Sequence, residues 1–276
     1  MYPQPNRPLS RNRICTSTHR EILQLSGLSH SFGSRSRGIK KSGSDFDIST
    51  LPLTGWWRAS YGGSPWVGVA SAGSSGGRDL SEATNPPAVG TAVGAYAPAD
   101  SDGTNDILST ALTTDTYFDQ NAQSGAVVVN LDAAGVVDLP ASPYSENHLM
   151  GSAGAADWGL GLSSAVGVRF WRQRSGGVAY DNVAIALATG VWTVVQFQYN
   201  GTNLRIRRDN GSWTETAATA NTLAGTSQNV FFGHALSAFS NAKMLEIIWS
   251  DQNFSDNTFN NIYTSLKARY PAAGLP

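Results

Sequence analysis

Residues 194–213 read VVQFQYNGTNLRIRRDNGSW, with Asn200-Gly201 and Asn210-Gly211 ten positions apart and alternating apolar and polar residues beside them. Asn-Gly is the pair that best tolerates the positive φ needed at both central positions of a type I′ turn. Two tight hairpins in succession are therefore predicted. Val195, Phe197 and Tyr199 alternate with Val194, Gln196 and Gln198, and Leu204 and Ile206 alternate with Arg205 and Arg207. A period of two puts one set on a core face and the other on a wetter face. The stretch reads as an antiparallel meander with Arg205 and Arg207 on its wetter side. There they either keep the sheet soluble or form a row of donors for an anionic or sugar ligand.

A chain of 276 residues that is 41% hydrophobic can bury a substantial core. Only 14% of it is charged, and it holds 29 glycines. That mix disfavours long helices and suits a β-rich fold with many turns. Cys15 is the single cysteine, so no intrachain disulfide can form. No apolar run reaches the ~18 residues of a membrane helix. The first residues carry no legible secretory leader, because His19, Arg20 and Glu21 interrupt the only candidate stretch. Synthesis in a cytoplasm is the resulting expectation.

The net charge of −1 hides an uneven distribution. Residues 1–41 hold Arg7, Arg11, Arg13, Arg20, Arg35, Arg37, Lys40 and Lys41 against Glu21 alone, a net +7 that leaves −8 on the remainder. A basic arm ahead of an acidic body either meets an acidic partner surface or nucleic acid, or is a tail with no partner. Residues 1–45 are rich in Pro, Ser, Arg and Gly and read as an extended arm. The body is predicted to span 46–276. Its Gly/Ser/Pro-rich stretch from Tyr61 to about Gly90 is long for a loop, which points to a functional or partner-contacting segment.

Strand-like segments recur at 126–131, 164–174, 178–187, 192–199, 204–208, 229–236 and 242–250. Regular short strands separated by turns imply a sandwich or jelly roll. The C-terminus changes period: Phe259, Ile262, Tyr263, Leu266 and Tyr270 recur at helical spacing. Ser255 suits the N-cap, Asp256 the first turn, Lys267 and Arg269 the last, and Pro271 the stop. One amphipathic helix over 256–269 is predicted, with its aromatic stripe facing the core.

Three stretches together resemble the concanavalin-A-like jelly-roll group, specifically its laminin-G-like branch. APADSDGTNDILST (97–110) resembles an early motif in which a turn holding Asp102, Gly103, Asn105 and Asp106 precedes an apolar strand. Residues 190–211 resemble the central meander, and 231–270 the final strand pair with its closing helix. The resemblance covers about 46–272 and leaves the arm outside. It implies an all-β fold: a two-sheet antiparallel jelly-roll sandwich with one C-terminal helix. Members serve as sugar lectins, adhesion modules, glycan hydrolases and phage virion proteins, and fold alone does not choose among them.

Residue chemistry narrows the choice. Glycoside hydrolysis needs two carboxyl groups about 5–10 Å apart across the scissile bond. Hydrolases of this superfamily commonly carry them as E-x-D-x-x-E on one strand, and here Asp181 and Glu246 stand singly. GSSGG around Ser75 matches a nucleophile elbow formally but lacks the strand before and the helix after, with His148 and His234 the available bases. It reads as a flexible loop. Asp100, Asp102 and Asp106, with Asn105, form an oxygen-rich turn that either binds Ca2+ or is an Asx turn without metal. Arg169, Trp171 and Gln173 share one strand face and offer an aromatic platform for a sugar, with Arg205 and Arg207 nearby if that face is concave. The alternative is that Trp171 packs inside the sandwich.

These features point first to a non-enzymatic phage virion protein, a capsid decoration or a tail or fibre component. The arm anchors it to other virion proteins and its lectin-like jelly roll projects outward, self-associated and facing a host-surface glycan. Neither membrane insertion nor sequence-specific nucleic acid binding is expected. The alternatives are a bacterial carbohydrate-binding or adhesion protein and, last, a glycan hydrolase.

Overall fold

A computed structural model describes residues 46–58, 61–72, 79–81, 84–113, 122–132, 147–152, 158–163, 167–173, 180–219, 228–231 and 240–276. These form two antiparallel sheets and, among the described residues, one α-helix. The larger sheet runs in spatial order β12 (Thr214–Ala217), β11 (Asn203–Arg208), β10 (Trp192–Tyr199), β5 (Gln123–Leu131), β14 (Asn241–Ser250), β3 (Ala99–Asp102) and β2 (Ala88–Val89), and β1 (Gly55–Arg58) also pairs with β14. The smaller runs β4 (Leu108–Thr113), β13 (Gln228–Phe231), β6 (Asn147–Ser152), β7 (Trp158–Ser163), β8 (Gly167–Gln173) and β9 (Tyr180–Ile185).

Two cores follow from this layering. Val127, Val195, Phe197, Leu204, Ile206 and Trp249 of the larger sheet meet Trp158, Leu160, Val168 and Phe170 of the smaller one. Each such side chain contributes about 1.5–3 kcal/mol when fully buried. On its opposite face, the larger sheet presents Ala126, Val128, Val194 and Ile248 to helix α1 (Asp256–Arg269) through Phe259, Ile262, Tyr263 and Leu266. β5 is buried on both faces, which explains its unbroken AVVV run.

The helix ends as its residues dictate. The Ser255 side chain accepts from the Thr258 N–H, Asp256 opens the first turn, and Pro271 stands just past the C-cap Tyr270. The meander is present, but its turns differ from the type I′ expectation. At the first, Gly201 alone takes positive φ (90°), while the Asn200 side chain accepts from the backbone of Thr202 and Asn203. At the second, the positive φ (54°) falls on Asp209, and residues 209–213 form a longer connection. The Asp209 N–H donates to Val194 O at 2.7 Å and its carboxylate accepts the Val194 N–H at 3.1 Å. That paired contact with β10 selects Asp209 over Asn210 for the left-handed position.

The Gly/Ser/Pro-rich stretch reaches the inner core. Tyr61, Trp66 and Leu80 are buried there, and the Tyr61 hydroxyl donates to Pro87 O at 2.9 Å. Burial pushes the Tyr61 phenol up to about 12, with Asp106 adding to the shift. Strands β1, β2, β3, β6 and β7 are not among the segments expected from the sequence: β3 takes Asp100 and Asp102, expected in a turn, and β6 and β7 are interrupted by glycines.

Candidate functional site

The arginines of β11 do not lie on a wet face. Arg207 is 5% exposed, and the Arg205 side chain 13%. Both point under α1, because Leu204 and Ile206 take the inner core and the alternate positions must face the helix. Arg205 Nε donates to Gln198 Oε1 at 2.6 Å and Arg207 Nε to Gln196 Oε1 at 2.6 Å. The glutamines relay this contact: Gln196 Nε2 donates to Phe259 O and Gln198 Nε2 to Phe254 O. The Trp213 ring lies 4.2 Å from the Arg205 guanidinium and 4.5 Å from that of Arg207, and its Nε1 donates to Asp256. Burial pushes the Arg207 pKa down, partly countered by Asp256. This cluster holds the helix N-terminus to the sheet.

Arg169, Trp171 and Gln173 belong to β8 of the smaller sheet. Val168 and Phe170 fill the inner core, so Arg169 and Trp171 face the outer side of that sheet. Trp171 is fully buried there, edge-on to His148 with ring centroids 5.5 Å apart. The structure therefore places Arg169 and Trp171 on one outer face and the Arg205/Arg207 pair on the opposite one, in a sandwich whose sheets stack about 10 Å apart. They do not form one site, and Trp171 offers no open platform to a sugar.

The acidic turn is engaged internally. Asp106 Oδ2 accepts the Asp102 N–H at 2.8 Å and Asp102 Oδ1 accepts the Thr104 N–H at 2.7 Å, as in an Asx turn. Lys243 Nζ lies 3.4 Å from Asp100 and 2.6 Å from Asp132. Burial raises the pKa of both Asp100 and Asp106. Among the described residues, no cluster of three or more His, Cys, Asp or Glu side chains could hold a metal ion. These backbone contacts are the ones an Asx turn supplies, and the lysine adds an ion pair.

Of the two strand carboxylates, Asp181 is 6% exposed and accepts the Thr219 N–H. Glu246 is fully buried beneath α1, where Trp56, Arg269 and Tyr270 donate to it. Neither lines the cleft at the end of β9. The arm residues Arg7, Arg11, Arg13, Arg20, Arg35, Arg37, Lys40 and Lys41, together with Ser75 and His234, lie outside the described residues.

An open cleft of about 450 Å³ lies along the lateral edge of the sandwich. Ala184, Ile185 and Ala186, at the end of β9, line one side, and Arg208, Gly211, Ser212 and Thr214 line the other. Arg208 is exposed and, among the described residues, donates once, from Nη1 to Ala186 O at 3.1 Å. A guanidinium carries five N–H donors, so several remain directed at solvent. Among the described residues, no lining residue is a carboxylate. Sequence reasoning passed over Arg208 because it ends β11, where alternation carries no information. The detectable signal was the Asp209–Gly211 connection, whose length opens space beside it.

With this geometry in place, the fold can be compared with solved structures. No protein-family model matches the chain, and no curated protein matches it in sequence. The binding domain of Paraclostridial Mosquitocidal Protein 1 superposes with a TM-score of 0.59 at 8% identity, over 78% of this chain and 52% of that one. A botulinum neurotoxin serotype D ligand-binding domain in complex with N-acetylneuraminic acid gives 0.54 at 12% identity, over 78% and 51%. Trypanosoma rangeli sialidase, in complex with the inhibitor DANA, gives 0.54 at 12% identity, over 80% and 34%. The shared property is the fold. The chain spans between 34% and 52% of the length of these structures.

Proposed function

We propose that this chain is a non-enzymatic carbohydrate-binding β-sandwich whose ligand is an acidic sugar held at the Arg208 cleft. The observation that carries this is the cleft itself: an exposed guanidinium with spare donors, hydroxyls from Ser212 and Thr214, and, among the described lining residues, no carboxylate. Its 450 Å³ falls within the roughly 300–1,000 Å³ of small-ligand sites. A planar fork of N–H donors matches a sugar carboxylate bidentately. Among the described residues, the lining holds an arginine, hydroxyls and small side chains, a set that suits binding. Two of the similar folds are binding domains, one complexed with N-acetylneuraminic acid.

The setting we propose is a bacteriophage particle, as a capsid decoration or a tail or fibre component. The charge split supports this reading: a +7 arm suits anchorage on other virion proteins while the acidic body projects outward. A glycan array bearing sialylated, uronic-acid and neutral sugars tests the binding function. The intact chain is expected to retain acidic glycans, and Arg208→Ala to lose them without a change in melting temperature. Retention that is indifferent to Arg208, or no retention of any glycan, overturns the reading.

A further inference from the structure

We infer that Asn210 is a site of spontaneous deamidation, and that its product adds a negative charge beside Arg208. Asn210 and Gly211 are both exposed, in the connection that forms one wall of the cleft. A glycine after asparagine has no Cβ to shield its backbone nitrogen from the asparagine side chain.

The chemistry needs only water and hydroxide. The Gly211 nitrogen gives its proton to hydroxide and attacks Cγ of Asn210. The N–Cγ bond forms, the Cγ–Nδ2 bond breaks, and Nδ2 takes a proton from water and leaves as ammonia. A second water opens the resulting imide at one of its two carbonyls, leaving aspartate or isoaspartate.

The two Asn-Gly pairs share the dipeptide but differ in geometry. Asn200 Oδ1 accepts the Thr202 N–H at 3.0 Å and the Asn203 N–H at 2.8 Å, which fixes the amide in one orientation. Attack requires that amide to turn, so both bonds must break first. Among the described residues, no side-chain hydrogen bond holds Asn210. The Gly211 N–H donates to Arg208 O at 3.1 Å, a single bond on an exposed turn.

The product places a carboxylate between Arg208 and Gly211, whose carbonyl already accepts from Arg207. Isoaspartate also lengthens the main chain of the cleft wall. The effect on glycan binding rests on the proposed function, whereas the modification does not.

The experiment incubates the intact protein at mildly alkaline pH and follows the tryptic peptides 175–205 and 209–243, which carry one Asn-Gly pair each. The acid form is expected to accumulate in 209–243, at Asn210, several-fold faster than in 175–205, and the two rates to converge in urea. Equal rates in the folded protein, a faster Asn200, or no reaction at Asn210 overturns the inference. A second arm compares Asn210→Asp with the unmodified chain on acidic glycans. Weaker retention is expected, and equal retention overturns the charge effect. If the unmodified chain retains no glycan, the proposed function fails while the peptide rates still decide the modification.

Discussion

Glu246 on β14 and Arg269 in the last turn of α1 form an ion pair between the sheet and the helix, with Glu246 at 0% exposure and the Arg269 side chain at 19%. Trp56 Nε1 and the Tyr270 hydroxyl supply two neutral donors to the same carboxylate. A β-bulge puts it there. The β5–β14 register shifts between Met244 and Glu246, so Leu245 and Glu246 both turn toward the helix. Breaking a buried pair by removing one partner strands the other charge and costs about 3–5 kcal/mol. Arg269→Ala is therefore expected to lower stability by that order, read as a shift of the urea midpoint.

Gln196 joins Arg207 to the Phe259 carbonyl in one chain of buried contacts. Gln196→Leu keeps the volume and removes both bonds. Each buried polar group left unsatisfied costs about 1–3 kcal/mol. The variant is expected to melt earlier by that combined order, with the largest rise in amide exchange at the N-terminal turn of α1.

Gly159 lies under the Trp171 ring: a Cβ there comes 2.5 Å from the indole and 2.7 Å from His148. Gly159→Ala must push the ring aside, and overpacking of this kind costs about 1–3 kcal/mol. The expected result is a lower melting temperature with a red-shifted tryptophan emission, as Trp171 gains access to water.

Burial raises the Asp209 carboxyl above its ordinary 3.8, and the Val194 N–H, Arg208 and Lys267 offset this only in part. The native state thus binds this proton more tightly than the unfolded chain. Stability falls as pH rises from 3.8 through the folded value, and the penalty persists at neutral pH. Asp209→Asn tolerates the left-handed backbone and still accepts the Val194 N–H. It is expected to raise the melting temperature at neutral pH and to lose that advantage in acid.

The basic arm gives a prediction independent of the cleft. Among the described residues, the hydrophobic cores draw on positions from Phe46 onward. Deleting 1–41 is expected to leave a cooperatively melting body that no longer co-sediments with phage particles. Reversing Arg11, Arg13, Arg35 and Arg37 is expected to weaken attachment most at low salt, where screening is least.

Much of the fold is legible in the order of the residues. The meander of β10 and β11 follows from strict alternation, and α1 from its stripe, cap and terminal proline, all of which are local signals. Strands β6 and β7 are not legible: β7 alternates with glycines that carry no side chain, and β6 is short and shifts register between His148 and Met150.

The sequence alone determined which residues of each strand share a face, since a period of two is written into the order of the side chains. It did not determine what each face meets. Alternation separated Arg205 and Arg207 from Leu204 and Ile206, yet only the docking of a helix some fifty residues later made the arginine face dry. Arg208 was left in the open by the same packing, because the edge of β9 stops beside it and the helix lies on the other side of its sheet. Which side of a sheet is covered depends on contacts between distant segments, and no local pattern records them.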